Sequence, residues 1–296
     1  MNQLQYVILQ HRTVITVGGE DRNEFLQALV SNDVAKIAPN RTIWAALLTP
    51  QGKFLHEFFM FELGDIIGLD CEQARSTDLI NRLTRYKLRA NVTLKLRPDL
   101  SVIAAWGDGA LNALGLTSDT GASIPTKNSI VFTDPRTAIA GARWILPREE
   151  VDVSLVLKGF SLGRVDGYDG LRISLGLPDG SRDMAIEKAL LLENGFEELN
   201  GVDYEKGCYV GQELTARTHY RALIKKCLVP VSFKGTALDP GTPVTAGSQE
   251  VGVMKSAVDG IGLAFLRRDA LEKPIYAGDR KLEPQYQHWI PGNKKT

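Results

Sequence analysis

The chain is poor in cysteine and has no excess of either charge. Cys71, Cys208 and Cys227 are its 3 cysteines among 296 residues. They are scattered, odd in number and free of any C-x-x-C pair, which excludes a disulfide framework and a self-contained structural zinc site. Unpaired thiols fit a reducing compartment. The 35 basic residues balance 35 acidic ones, which leaves no general electrostatic case for DNA, RNA or an anionic membrane as main partner. No apolar run approaches the roughly 20 residues of a membrane span. Residues 1–18 carry no basic segment followed by an apolar block, and they lack the arginine richness of a transit peptide. These absences predict a cytoplasmic protein. G-x-G-x-x-G and Walker loops are missing too, so no nucleotide-binding motif is legible.

What is present is ordinary for a soluble globular protein, with 44% apolar and 24% charged residues. The length predicts two or three domains. Apolar periodicity predicts a strand over residues 6–17, then a helix capped by Asp21 with Phe25, Leu26, Leu29 and Val30 on its apolar stripe. Strands are expected over 44–48 and 54–63, joined by the turn Thr49-Pro50-Gln51-Gly52. A helix over 72–87, strands over 92–96, 102–106, 128–132 and 137–145, and helices over 110–114, 149–157 and 167–175 complete the first two thirds. The order is not a clean βαβ alternation, so an α+β arrangement is expected. After residue 220, short apolar segments separated by Gly, Pro and Asp turns predict a small β-barrel or sandwich.

The segment from Lys206 to Arg217, KGCYVGQELTAR, carries most of the functional signal. It sets one thiol between a cation and a glycine-flanked turn, ahead of an expected helix start. A neighbouring ammonium and a helix N-terminus both favour the thiolate, which is the nucleophile and the metal ligand. Tyr209, Gln212 and Arg217 add aromatic, amide and guanidinium groups. His219 follows closely. Arg217, Arg221, Lys225 and Lys226 form a basic cluster, as do Arg82, Arg85, Lys87 and Arg89. Such runs are usually solvated faces.

That segment resembles the KGCYxGQExxAR signature of the YgfZ-type proteins, folate-binding relatives of the glycine-cleavage T-protein whose mitochondrial counterparts serve iron–sulfur cluster assembly. Further similarity lies in Phe25-Leu26-Gln27 with Ser31-Asn32-Asp33-Val34, in LLTPQG over 47–52, in Tyr86-Lys87-Leu88-Arg89, in Asp134-Pro135-Arg136 with Arg143, in RISLGLPDG over 172–180 and in Glu193-Asn194. The resemblance implies a T-protein-like fold with two α/β lobes around a central cleft and a C-terminal β-barrel. The corresponding domains are residues 1–100, 101–220 and 221–296. It implies a tetrahydrofolate site drawing on Glu57, Arg172, Glu193, Tyr209, Gln212 and Arg217. Cys208 is then the reactive thiol and metal ligand, with Lys206 beside it.

The T-protein enzymes carry an acidic pair after the hairpin glycine and a Leu-Arg-x-Glu helix. Here those positions read His56-Glu57 and Leu171-Arg172-Ile173-Ser174. One-carbon transfer from an amine needs a placed carboxylate. The chain therefore reads as an assembly or repair factor for iron–sulfur proteins, with a folate-dependent aminomethyltransferase using Glu57 as the alternative. One favourable thiolate does not complete the ligand set of a cluster. A shared iron–sulfur cluster is expected, with an A-type iron–sulfur carrier or a monothiol glutaredoxin as partner.

Overall fold

The computed structural model describes residues 3–126, 128–220 and 224–285. They group into two compact units. One takes in the described residues up to 48 with 55–165 and 200–210. The other takes in 49–54, 166–199 and the described residues from 211 onward.

Through the first unit run β1 (Gln5–Ile8), β2 (Arg12–Gly18), β3 (Ile43–Leu48), β4 (Phe54–Leu63), β5 (Ile66–Glu72), β6 (Thr93–Arg97), β7 (Leu100–Trp106), β8 (Ser123–Pro125), β9 (Ile130–Thr133), β10 (Ala142–Pro147) and β11 (Ser161–Leu162). One sheet has the order β3-β4-β5-β2-β6 and the other β11-β1-β7-β10-β9-β8. β3 is buried throughout, and so are the first eight residues of β4. Their near-continuous apolar sequences are those of strands covered on both faces. Aromatic rings join the sheets: Phe132 on β9 lies 6.3 Å from Phe59 and 6.0 Å from Phe61 on β4. The helices α1 (Arg22–Gln27) and α2 (Ser76–Lys87) place Leu26, Leu79 and Leu83 in one core with Leu47 and Phe58. Against the other sheet, α3 (Ala110–Leu114) and α4 (Val151–Val156) bury Leu114, Val151 and Leu155 beside Ile103 and Trp144.

Several local expectations are revised. The single strand expected over 6–17 is two, because the chain turns where Arg12 N donates to Leu9 O. β1 then pairs with β7 and β2 with β5 and β6, in different sheets. Asp21 is the N-cap residue of α1 as expected, its backbone carbonyl accepting from Phe25 N at 2.9 Å, but its carboxylate makes no cap bond and accepts instead from Asn91 N at 2.6 Å. The helix expected from 72 starts at Ser76, after the 3-10 turn Gln73–Arg75. The strand expected over 137–145 is a 3-10 turn, Ala138–Ala140, followed by β10.

The second unit contains α5 (Val165–Ser174) from its second residue on, α6 (Gly180–Asp183), α7 (Gln212–Tyr220) and a closed barrel. The barrel strands are β12 (Lys226–Ser232), β13 (Pro243–Ala246), β14 (Gln249–Val258), β15 (Ile261–Arg267), β16 (Ile275–Ala277) and β17 (Arg280–Pro284), in the order β12-β15-β14-β13-β16-β17. Val229, Val231, Val244, Met254 and Leu266 fill its interior, and closure leaves no free sheet edge. Divisions at residues 100 and 220 do not coincide with the two units. Both sheets share one unit because β1 joins the second sheet and β2 packs on β7, while 166–199 group with the barrel. Among the described residues no helix is long and apolar enough to cross a membrane.

Candidate functional site

The Cys208 segment is an anchored loop. Asp203 N donates to Ser31 O at 3.0 Å and Val210 N to Ala28 O at 3.1 Å, so both ends are tied to the turn after α1. Asp203 Oδ1 accepts from Glu205 N at 2.7 Å and Lys206 N at 3.1 Å, which shapes the bend between them. Gly207 then adopts φ 87°. A Cβ there meets nothing within 4 Å, so the requirement for glycine is purely conformational. Within this frame Cys208 is exposed, while Cys71 and Cys227 are buried. Burial pushes the Cys227 thiol up to about 12 and that of Cys71 higher still. Both are inert packing groups, and Cys208 is the one exposed cysteine.

Lys206 acts as the anchor of this loop. Its Nζ donates to Gln27 O and Val30 O, each at 2.6 Å, and lies 4.9 Å from the Tyr209 ring centre. Burial lowers its pKa to about 8, opposed by the charges of Asp33 and Asp203. These contacts give Lys206 a structural role that the sequence does not announce. Tyr209 is buried, Gln212 half-buried and Arg217 exposed. α7 begins at Gln212, four residues after Cys208, so the thiol does not sit on the helix end. Gly52, at φ 75°, has its Cβ site 2.6 Å from Leu214 Cβ and 2.7 Å from Gly211 O. Only glycine lets the turn at residue 52 lie against the start of α7. His219 is engaged by Glu197 at 3.0 Å. Arg221 lies outside the described residues.

Glu57 is buried and engaged on both oxygens. It is 3% exposed, paired with Arg12, and its second oxygen accepts from Trp44 Nε1 at 2.7 Å. Arg12 Nε also donates to Asp70 Oδ1 at 2.7 Å, and Arg143 Nη1 to Asp70 Oδ2 at 2.8 Å. Asp134 pairs with Arg136 at 2.8 Å. Burial pushes the Asp134 carboxyl up, but Arg136 and Arg143 outweigh it and hold it below the usual range. Three guanidiniums and three carboxylates thus balance inside the first unit, with the Arg143 guanidinium 3.9 Å from the Phe59 ring centre. The expectation of Glu57 as a folate or amine ligand is corrected: both of its oxygens are engaged, one by Arg12 and one by Trp44, inside a buried charge network.

His56 is likewise buried, bonded through Nε2 to Asp78 at 2.9 Å. Burial, aided by Arg75, lowers its pKa to about 4. The unfolded chain, with a histidine near 6.5, therefore binds more protons than the folded one between those values, and stability must fall as pH drops through that window. The expected loss from this group is about 3 kcal/mol. In His56→Gln the fall in unfolding free energy between pH 6.5 and 4 should shrink by that amount, measured by denaturant titration. Parallel curves for the two proteins would refute the assignment.

Arg172 on α5 is 1% exposed and donates to Asp169 at 2.5 Å, Asp183 at 2.8 Å and Leu177 O at 3.2 Å. Asp183 also accepts from Asp179 N and Ser256 N, which ties α5, α6 and β14 together. Two carboxylates and a carbonyl give Arg172 a structural role, while its buried Nη2 has no hydrogen-bond partner among the described residues. Ser174 Oγ donates back to Leu171 O at 2.7 Å within the same helix. Glu193 differs from these. It is half-buried, burial pushes its carboxyl up against the opposing charges of Lys226 and Lys53, and it lines a cavity of about 370 Å³ with Asn194 and Phe265. Sequence reading missed Lys53, Lys188 and Lys255 on the same cavity. They are far apart in the chain, and only the fold collects them.

Residues 225–292 match the model of the CAF17 C-terminal beta-barrel domain. Across most of its length the chain is 33% identical to the iron-sulfur cluster assembly factor IBA57, mitochondrial, of Homo sapiens. The match runs over 288 residues and covers 90% of this chain and 79% of the relative. The chain belongs to the IBA57 family of iron–sulfur cluster assembly factors. The Mus musculus member is 32% identical over 291 residues, with the same coverage. The fold is that of the glycine cleavage system aminomethyltransferase T from Bartonella henselae, with a TM-score of 0.77 at 14% identity over 97% of this chain and 86% of that one. The expected T-protein-like fold is thereby established. The expectation of a cytoplasmic protein is overturned, because these IBA57 relatives are named mitochondrial. Unpaired cysteines mark a reducing compartment without saying which one.

Proposed function

We propose that this protein serves the assembly or repair of iron–sulfur proteins by offering Cys208 as a single thiolate to a cluster held jointly with a second protein. The observation that carries this reading is an exposed cysteine on a loop fixed at both ends, in a chain whose other two thiols are buried. Cys208 Sγ gives up its proton as its bond to iron forms, and the partner supplies the remaining ligands. Among the described residues no group of three or more His, Cys, Asp or Glu is placed to hold a metal ion, which supports sharing. A soft thiolate partner such as an A-type carrier or a monothiol glutaredoxin fits. The exposed Arg217, Lys225 and Lys226 favour an acidic one. The KGCYVGQE wording is read as the YgfZ-type signature within this family.

Reduced folate is the small molecule we assign to the second unit. Glu193 offers a carboxyl to the aminopyrimidinone edge, and Phe265 an apolar wall. The residues fit that ring, and the folate would supply a one-carbon carrier. Aminomethyl transfer is disfavoured, since Glu57 is locked to Arg12 and Trp44 and Ser174 stands in place of a carboxylate. The test is depletion in cells. Activities of [4Fe–4S] enzymes should fall while cluster-free enzymes of the same compartment hold steady, and restoring the protein should reverse the loss. Equal activity with and without the protein would defeat the assembly role.

A further inference from the structure

The Glu193 cavity is lined by four lysines, Lys53, Lys188, Lys226 and Lys255, drawn from the β3–β4 hairpin, the segment after α6, β12 and β14. Among the described residues none of the four is held in an ion pair; Lys226 lies 5.7 Å from the Phe265 ring centre. The cavity's carboxylates do not balance them. Asp183 is already neutralised by Arg172 at 2.8 Å, which leaves Glu193 alone. Burial lowers the pKa of Lys255, and Asp183 only partly offsets this. Elsewhere the protein balances its buried charges closely, as the Arg12, Arg136 and Arg143 network does with Glu57, Asp70 and Asp134. A cavity that leaves several ammoniums facing one carboxyl repels itself until an anion enters.

We propose that this cavity is a binding site for a small multivalent anion, a ligand bearing two or more carboxylate or phosphate groups. At about 370 Å³ it lies at the small end of ligand pockets. It suits a flexible polycarboxylate or a phosphate ester, with Asn194 adding an amide. Two sources share this chemistry. One is the oligo-γ-glutamyl tail of a reduced folate, in which case the site rests on the folate reading above. The other is a free polyanion, which would be held whether or not a pterin reaches Glu193.

Calorimetry on the full chain separates them. The probes are citrate, pyrophosphate, tri-γ-glutamate, and mono- and triglutamyl tetrahydrofolate, each titrated into wild type and Lys53→Gln/Lys255→Gln. Thermal melts confirm that the variant folds. At least one multivalent probe should bind saturably at one site, weaken as salt is raised, and lose about ten- to hundredfold in the double variant. A triglutamyl advantage over the monoglutamyl form that disappears in the variant assigns the tail. Binding of citrate or pyrophosphate with no tail-length effect assigns a free polyanion, even if neither folate binds. Binding of monoglutamyl folate alone, with no tail effect and no probe bound, overturns the anion site while leaving the folate reading intact. A double variant that binds every probe as well as wild type also overturns it.

Discussion

Cys208→Ser is expected to abolish rescue of [4Fe–4S] enzymes in cells lacking the protein, while its melting temperature stays within about 2 °C of wild type. The two halves of this result have separate causes. The side chain is exposed, so it packs against little, and a hydroxyl of nearly equal size adds no strain. The loop is held by Lys206, Asp203 and Val210 rather than by the thiol. What changes is chemistry: a serine hydroxyl is a hard, barely acidic donor and a poor ligand for iron in a cluster. Cys227→Ser makes the contrast. It places a hydroxyl in the barrel core, where Cys227 is 0% exposed, and should cost about 1–3 kcal/mol of stability if the hydroxyl finds no partner. Rescue should persist at permissive temperature. If Cys208→Ser rescues as well as wild type, the shared-ligand role fails and the Glu193 cavity becomes the functional centre.

The Cys208 motif was legible and the charged interior was not, for one physical reason. KGCYVGQE is a local pattern, so the cysteine and the glycine at φ 87° can be picked out from it, although the loop that exposes the thiol is held by residues 27–31, far away in the chain. Glu57 has no such local answer. It sits in FLHEFFMF, where alternation cannot say which charged side chain meets a partner 45 residues away on another strand. A charge inside an otherwise apolar strand was the available warning, for Glu57 in β4 and equally for Asp70 in IIGLDC. Buried charges are rare unless paired, so both predicted an arginine without saying which. Arg172 repeats the lesson: its place in RISLGLPDG matches a family pattern, yet Asp183 was needed to see it as a structural hub. The lysine cavity had no local signal at all.

The largest stability effect is expected from Asp70→Ala. Asp70 is 0% exposed and receives Arg12 Nε at 2.7 Å and Arg143 Nη1 at 2.8 Å. Removing it leaves three buried guanidiniums facing two carboxylates, Glu57 and Asp134. Removing one partner of a buried ion pair costs about 3–5 kcal/mol, because the remaining charge keeps its desolvation penalty. For a unit of this size that lowers the melting temperature by roughly 6–20 °C. Asp70→Asn should lose nearly as much, since it keeps the shape but not the charge. The comparison is Asp99→Ala, which removes a surface pair with Arg97 whose carboxylate side chain is 58% exposed; such pairs contribute about 0–1 kcal/mol. Chemical denaturation of the three variants measures the difference directly. An Asp70→Ala loss no larger than that of Asp99→Ala would mean that water or a rearranged Glu57 compensates the guanidiniums, and the account of Glu57 as a locked structural partner would fall with it. A large loss keeps Glu57 in place as a strut between Arg12 and Trp44.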